Sequence, residues 1–185
     1  DWGGVIILGE ATINRGDSVK VGGVFSHFTD VIEGGLTGDA ADRTYGGNND
    51  ADNSGTLQYA RIEFAGIAFT PNNEINSLTT GGVGSGTTID HIQVSYAGDD
   101  AYENFGGNFD MSHLIALRTL DDNLDLDQGY RGNIQHVVIY QEANTADVSK
   151  SEGWENDNWK QNPNGGPRTA PVCANVTLIG PKATG

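Results

Sequence analysis

Three stretches of this chain set carboxylates in one pattern: DDAYENFGG from Asp99, DDNLDLDQG from Asp121 and SEGWENDNW from Ser151. Aligned, they place Asp100, Asp122 and Glu152 in one column and Glu103, Asp125 and Glu155 in a second. Phe105, Asp127 and Asp157 form a third, beside an apolar column of Tyr102, Leu124 and Trp154. If the copies stack as neighbouring strands, like charges stand about 4.8 Å apart and repel unless something neutralises them. Calcium is the natural counter-ion, because a hard cation takes several oxygen ligands. Asp100, Asp122, Asp125 and Asp127 are therefore candidate calcium ligands, with solvated, salt-screened carboxylates as the alternative. In NNDADNSGT, Asp50, Asp52, Ser54 and Gly55 reproduce the first half of a D-x-D-x-S-G calcium loop. Its closing glutamate is missing, since Arg61 stands there, and an Asx-type turn explains the same residues.

Histidine offers other chemistry. Tyr59, His91, His113, His136 and Asn175 share a column when LQYARIEFAG, IDHIQVSYAG, MSHLIALR, IQHVVIYQ and ANVTLIG are aligned. Imidazole is a zinc ligand, but a straight column does not converge on one ion. His91, His113 and His136 are read as a structural ladder pointing outward at the start of their strands. Trp154 and Trp159 lie among Asn156, Asn158, Asn162 and Asn164, a mixture of rings and amides that suits sugar recognition. Trp159, Asn158 and Trp154 are the candidate glycan contacts, although Trp154 also fits the apolar column. For an enzyme, Arg118, Arg131 and Lys160 are the plausible bases near the acidic turns, and Asp121 with Asp125 forms a possible hydrolase pair. Those acids occupy repeating positions, whereas a catalytic constellation is a local departure from a repeat. No catalytic residue is assigned.

The elements that must position these residues follow from the same alignment. Equivalent residues fall 32 apart from Leu57 to Ile89, 22 from Ile89 to Met111, 23 from Met111 to Ile134 and 39 from Ile134 to Cys173. Coils of about 22–23 residues, lengthened by insertions, predict an all-β, right-handed parallel β-helix in which each coil adds one strand to each sheet. Its inward columns are Ala60, Ile92, Leu114, Val137, Val176 and, two residues on, Ile62, Val94, Ala116, Ile139, Leu178. Residues 1–185 are read as one domain, with 141–171 a loop inserted between coils. Ile115, Leu117, Val138 and Tyr140 face outward yet are apolar, so that loop or a partner must cover them. With little material for a cap at either end, end-to-end association of copies, or a longer parent chain, is a further expectation.

Composition narrows the partners. Ten Lys+Arg against 25 Asp+Glu give a net charge of -15, which repels a nucleic-acid backbone. Cys173 is the only cysteine, so no disulfide forms within the chain. The longest apolar run, GGVIILG, is too short to span a bilayer.

The blocks WGGVIILGEATIN, VIEGG, YGGNNDADNSGTLQYARIEFAG, NEINSLTTGGVGSGTTIDHIQVSYAGDDAYENFGG and DDNLDLDQGYRGNIQHVVI resemble secreted right-handed β-helix proteins of Bacteroidetes and related environmental bacteria, pectate-lyase-like solenoids without an established activity. The resemblance covers nearly the whole chain and implies the fold and a secreted or cell-surface location. It supplies no catalytic set. Function is thus expected to be a non-catalytic surface module with a structural, adhesive or glycan-binding role toward polysaccharides or surface proteins, self-assembling and calcium-stabilised. The alternative is a calcium-dependent polysaccharide lyase or glycoside hydrolase.

Overall fold

A computed structural model describes residues 2–70, 73–146, 150–162 and 164–181. Parts of the expected domain and insert, residues 1, 71–72, 147–149, 163 and 182–185, lie outside the described residues. The strands in chain order are β1 (Val5–Leu8), β2 (Asp17–Val21), β3 (Val24–Val31), β4 (Thr44–Tyr45), β5 (Thr56–Glu63), β6 (Ala68–Thr70), β7 (Asn73–Glu74) and β8 (Leu78–Gly81). They continue as β9 (Thr88–Ser95), β10 (Tyr102–Phe105), β11 (Met111–Leu117), β12 (Leu124–Asp127), β13 (Asn133–Tyr140), β14 (Glu155–Asn156) and β15 (Val172–Ile179). Among the described residues no helix is long and apolar enough to cross a membrane.

The strands wind into a parallel β-helix. One sheet runs β1-β8-β10-β12-β14 and the other β5-β9-β11-β13-β15, so each coil contributes a short rung to the first and a long strand to the second. Every pairing in both is parallel. The inward columns are in register as their spacing predicts: Ala60 pairs with Ile92, Ile92 with Leu114, Leu114 with Val137 and Val137 with Val176. Facing them across the core are Leu78, Tyr102, Leu124 and Leu126, all fully buried. Cys173 completes an inward column beside Ile134, and burial pushes its thiol up to about 11. It is a packing residue rather than a nucleophile.

Each long strand is bent. Tyr59, His91, His113, His136 and Asn175 all take left-handed backbone conformations, with φ between 54° and 60°. The pairing ladder passes over them: Ser112 faces Gln135 and the next pair is Leu114 with Val137. Thus the histidines sit at a corner inside the strand, not at its start as the alternation suggests. The corner explains why inward residues are spaced by three and then by two, as in Ile89, Ile92 and Val94. A second left-handed column, Phe64, Tyr96 and Arg118, ends the strands five residues later.

Three excursions interrupt the regular winding, the shortest being the antiparallel β6–β7 hairpin between β5 and β8. Between β1 and β5 the chain leaves the coil and forms an antiparallel sheet, β2-β3-β4. The β2–β3 turn is Gly22–Gly23, both with positive φ, as two-residue hairpins require. This sheet covers the outer face of β1, β8 and β10 with a second small core of Ile13, Ile32, Tyr45 and Phe105. Tyr45 stacks on Phe105 at 6.0 Å and lies so close over Gly81 that an added Cβ would meet the ring at 2.6 Å. The third excursion is the 141–171 segment, which is more than a loop, because β14 within it forms the last rung of the first sheet.

Leu114 is completely buried while Val138, one strand away, is 42% exposed. Leu114→Ala should cost about 2–5 kcal/mol in urea unfolding, and Val138→Ala less than about 0.5 kcal/mol.

Candidate functional site

The corner residues build one side of a surface groove. Because the bend turns their side chains outward at the same place in every coil, Tyr59, His91, His113 and His136 stack ring on ring, with centroids 4.6, 4.2 and 4.8 Å apart. The faces of the rings cover one another, so their edges look outward. Alongside runs the outward column Arg61, Gln93, Ile115, Val138 and Thr177, in register across β5, β9, β11, β13 and β15. Ring edges and outward column together line a groove of about 530 Å³ that crosses all five coils. Among the described residues its lining includes no carboxylate. The apolar members expected to need a cover, Ile115 and Val138, form part of its floor.

Asp90 braces the ladder from behind. It accepts a hydrogen bond from the Ser112 hydroxyl at 2.6 Å and meets Nδ1 of His91 and of His113 at 2.7 and 2.9 Å. The Ser112 bond, then those from the two imidazoles, hold its carboxyl well below the usual carboxylate range. These three ligand-type groups lie within 4.8 Å of one another, but stacked rings send their ring nitrogens out side by side rather than toward a common centre. That geometry suits a shared carboxylate better than a tetrahedral metal.

The acidic columns lie on the opposite side, on the first sheet. Asp100 and Asp122 form a side-chain ladder: Asn76 Oδ1 accepts from the Asp100 N–H at 3.0 Å, Asp100 Oδ1 from the Asp122 N–H at 2.8 Å, and Asp122 Oδ1 from the Glu152 N–H. Those bonds favour ionised carboxylates, yet burial outweighs them. Desolvation pushes Asp122 and Asp125 each up to about 8 and raises Asp100 and Glu103 as well, and neighbouring acids add to the shift. Asp127 is raised by burial too, against the Gln128 N–H and the Arg15 guanidinium 3.3 Å away.

The other expected contacts are dispersed. Asp50 accepts from the Thr12 N–H and pairs with Arg131 at 3.1 Å. Asp52 accepts from the Ser54 hydroxyl at 2.8 Å, and its N–H donates to the Asn49 carbonyl in a tight turn. Among the described residues neither aspartate joins a cluster of three acidic or imidazole ligands. Trp154 packs against the main core and donates to Asn156. Trp159 leans edge-on against Phe28 at 6.2 Å, and Asn158 accepts from Asn14 and the Thr169 N–H. Trp159 and Asn158 thus tie the insert to the excursion, and Trp154 seats it on the main core. Of the candidate bases, Arg118 pairs with Glu142 at 2.7 Å and Lys160 with Asp157 at 3.9 Å.

Several residues beside the acidic columns were not singled out from sequence: Arg15, Glu33, Asn76 and Thr79. Two signals could have found them. Gly22–Gly23 between VKV and VFSHF marks a hairpin, and laying LTTG on YENF extends the acidic column back to Thr79.

Comparison with known proteins agrees with the geometry. The model for the pectate-lyase like beta helix domain matches residues 1–185. No curated protein and no solved structure matches the chain.

Because the folded state holds Asp90 ionised, its stabilising effect is present above the unfolded value of 3.8 and is lost as pH falls through the lower folded value. Asp90→Asn should therefore melt below wild type at pH 7, with the gap closing as pH is lowered past 3.8. Paired thermal melts across pH check it.

Proposed function

This chain belongs to the pectate-lyase-like β-helix domain family, and on that scaffold we propose that it is a non-catalytic carbohydrate-binding module of the cell exterior, laying an extended neutral polysaccharide along the histidine-ladder groove. The observation that carries the reading is the groove's lining. Ring edges repeat every 4.2 to 4.8 Å, comparable to the length of one sugar unit, beside hydroxyl- and amide-bearing side chains such as Gln93, Asn175 and Thr177. A repeating surface suits a repeating ligand.

Carboxylate-driven cleavage lacks a partner there, since among the described residues the groove lining holds no carboxyl group of the kind glycoside hydrolases use to protonate a leaving group. A net charge of -15 disfavours polyanionic chains and favours neutral ones. The lyase or hydrolase reading draws on the pair Asp121 and Asp125, of which Asp125 is raised by burial to about 8, a value that suits a general acid. Asp125 lies on β12 of the first sheet, away from the groove.

Calorimetric titration against neutral polysaccharides, with chromatography of the same mixtures, tests the proposal. Binding without shortened or unsaturated products is expected. Arg61→Ala and His113→Ala should each weaken it at least tenfold, about 1.4 kcal/mol, while Trp159→Ala leaves it unchanged. Release of oligosaccharides that disappears in Asp125→Asn would replace this reading with the enzymatic one.

A further inference from the structure

The residue before each corner stands in register across the second sheet: Gln58, Asp90, Ser112, Gln135 and Ala174. Only one member of that row is a carboxylate. Asp90 serves two rungs of the ladder at once, its Oδ2 lying 2.7 Å from Nδ1 of His91 and its Oδ1 2.9 Å from Nδ1 of His113. The Ser112 hydroxyl gives its one proton to the same Oδ1 at 2.6 Å, and the Gln58 amide reaches Oδ2 at 3.5 Å. Donors gathered in this way, Ser112 foremost, keep the carboxyl ionised. An ionised carboxylate only accepts, so both Nδ1 atoms must carry their protons.

A neutral imidazole that donates from Nδ1 keeps its lone pair on Nε2. Among the described residues His91 and His113 form no hydrogen bond through Nε2, and their side chains are 39% and 47% exposed. Asp90 lines a separate hollow of about 350 Å³ behind the ladder, with Asp110, Ser112 and Gln135. With Nδ1 committed to that side, Nε2 is the polar atom each ring has left for the groove in front.

We propose that Asp90 is a positioning residue that locks His91 and His113 as Nδ1–H tautomers, so that the groove offers fixed Nε2 acceptors to the hydroxyl donors of its ligand. The ligand class rests on the polysaccharide reading above; the lock does not. A sugar hydroxyl both donates and accepts. Arg61, the one charged side chain among the described lining residues, can only donate, so a hydroxyl that accepts from it needs an acceptor for its own proton. The ring stack sets those acceptors side by side, since the two imidazoles are 4.2 Å apart. His136 continues the stack at 4.8 Å, but Gln135 precedes it, and among the described residues no carboxylate pairs with it.

The titratable and charged neighbours of the two rings are Tyr59, Arg61 and its partner Glu63 from β5, Asp90 from β9 and His136 from β13, with Asp110 behind. From β15 the lining receives the neutral Asn175 and Thr177. Protonating either ring turns its Nε2 from acceptor to donor, which a hydroxyl already facing Arg61 cannot match. The acceptors are therefore present at high pH and lost as pH falls through the imidazole range.

The test uses the whole chain, nitrogen-labelled, with long-range proton–nitrogen spectra of its four histidines assigned by single substitutions. At about pH 8, above the imidazole range, His91 and His113 should each show a protonated Nδ1 and a bare Nε2. The amide of Asp90→Asn offers one acceptor and one donor group, so one of the two rings should turn over to Nε2–H. Asp110→Asn makes the same change of charge behind the ladder and should keep both tautomers and the binding of wild type. Calorimetric titration with a neutral β-glucan and a galactomannan should show wild type losing affinity about tenfold between about pH 8 and about pH 5. Asp90→Asn should start about tenfold weaker and change less. An Nε2–H tautomer at either ring of wild type would overturn the lock, and that spectrum decides it even where Asp90→Asn does not fold. Spectra of Asp90→Asn identical to those of wild type would also overturn it, and binding equally strong at both ends of the pH range would overturn the acceptor role. Locked tautomers in a wild type that binds neither polysaccharide would remove the function reading and uphold the lock.

Discussion

The corner in each long strand is the constraint on which the rest depends. A coil must turn while keeping its apolar side chains inward, and here it turns on one left-handed residue per strand. Such a conformation costs an L-residue roughly 1–2 kcal/mol, less for histidine and asparagine, which occur there more often than most. Four of the five corner positions are His or Asn, and Tyr59 is the exception. Stacking between corner rings, worth about 0.5–1.5 kcal/mol per pair for aromatic contacts, offsets part of that cost. The ladder is thus both a product of the bend and a support for it. The groove follows from the same geometry, because a bend that aligns rings also aligns the column beside them.

The two sheets use their outer faces differently. The second exposes its face as a groove, with its one ladder carboxylate, Asp90, locked by donors. The first turns its face toward an excursion that buries charge. Carboxylates there are held in two ways, by backbone N–H groups along the Asn76–Asp100–Asp122 ladder and by Arg15 at Asp127. Parallel rungs at roughly 4.8 Å keep side chains of one kind adjacent over several coils, and this makes both the ring stack and the acid strip collective features rather than single contacts.

Much of the fold was legible in sequence. Apolar positions recurring at 22 and 23 residues fix the register, and the observed pairs Ile92–Leu114 and Leu114–Val137 are those the alignment requires. The columns Tyr102–Leu124 and Glu103–Asp125 were readable in the same way. The corner was written there too, as a three-then-two spacing of inward residues, but a period-two expectation for strands hides it. The excursion was harder. Glu33 meets Glu103 from 70 residues away in sequence, across a hairpin outside the repeat, and no periodicity reports such a meeting. Trp159 and Asn158 suggested an open platform on composition alone, whereas Phe28 and Asn14, also outside the repeat, engage them.

Coils are lengthened in the connections between rungs, on either side of the long strand, and not inside the rungs: the path from Leu8 to Thr56 is long, that from Gly81 to Thr88 short, yet β5 and β9 remain in register. The cost of closing a loop grows only with the logarithm of its length, so a detour of dozens of residues disturbs the stack little. Chain length and register are decoupled in this architecture. A scaffold with that property can gain or exchange surface loops at its corners during evolution, while the apolar columns that hold it together go on reading the same sequence pattern.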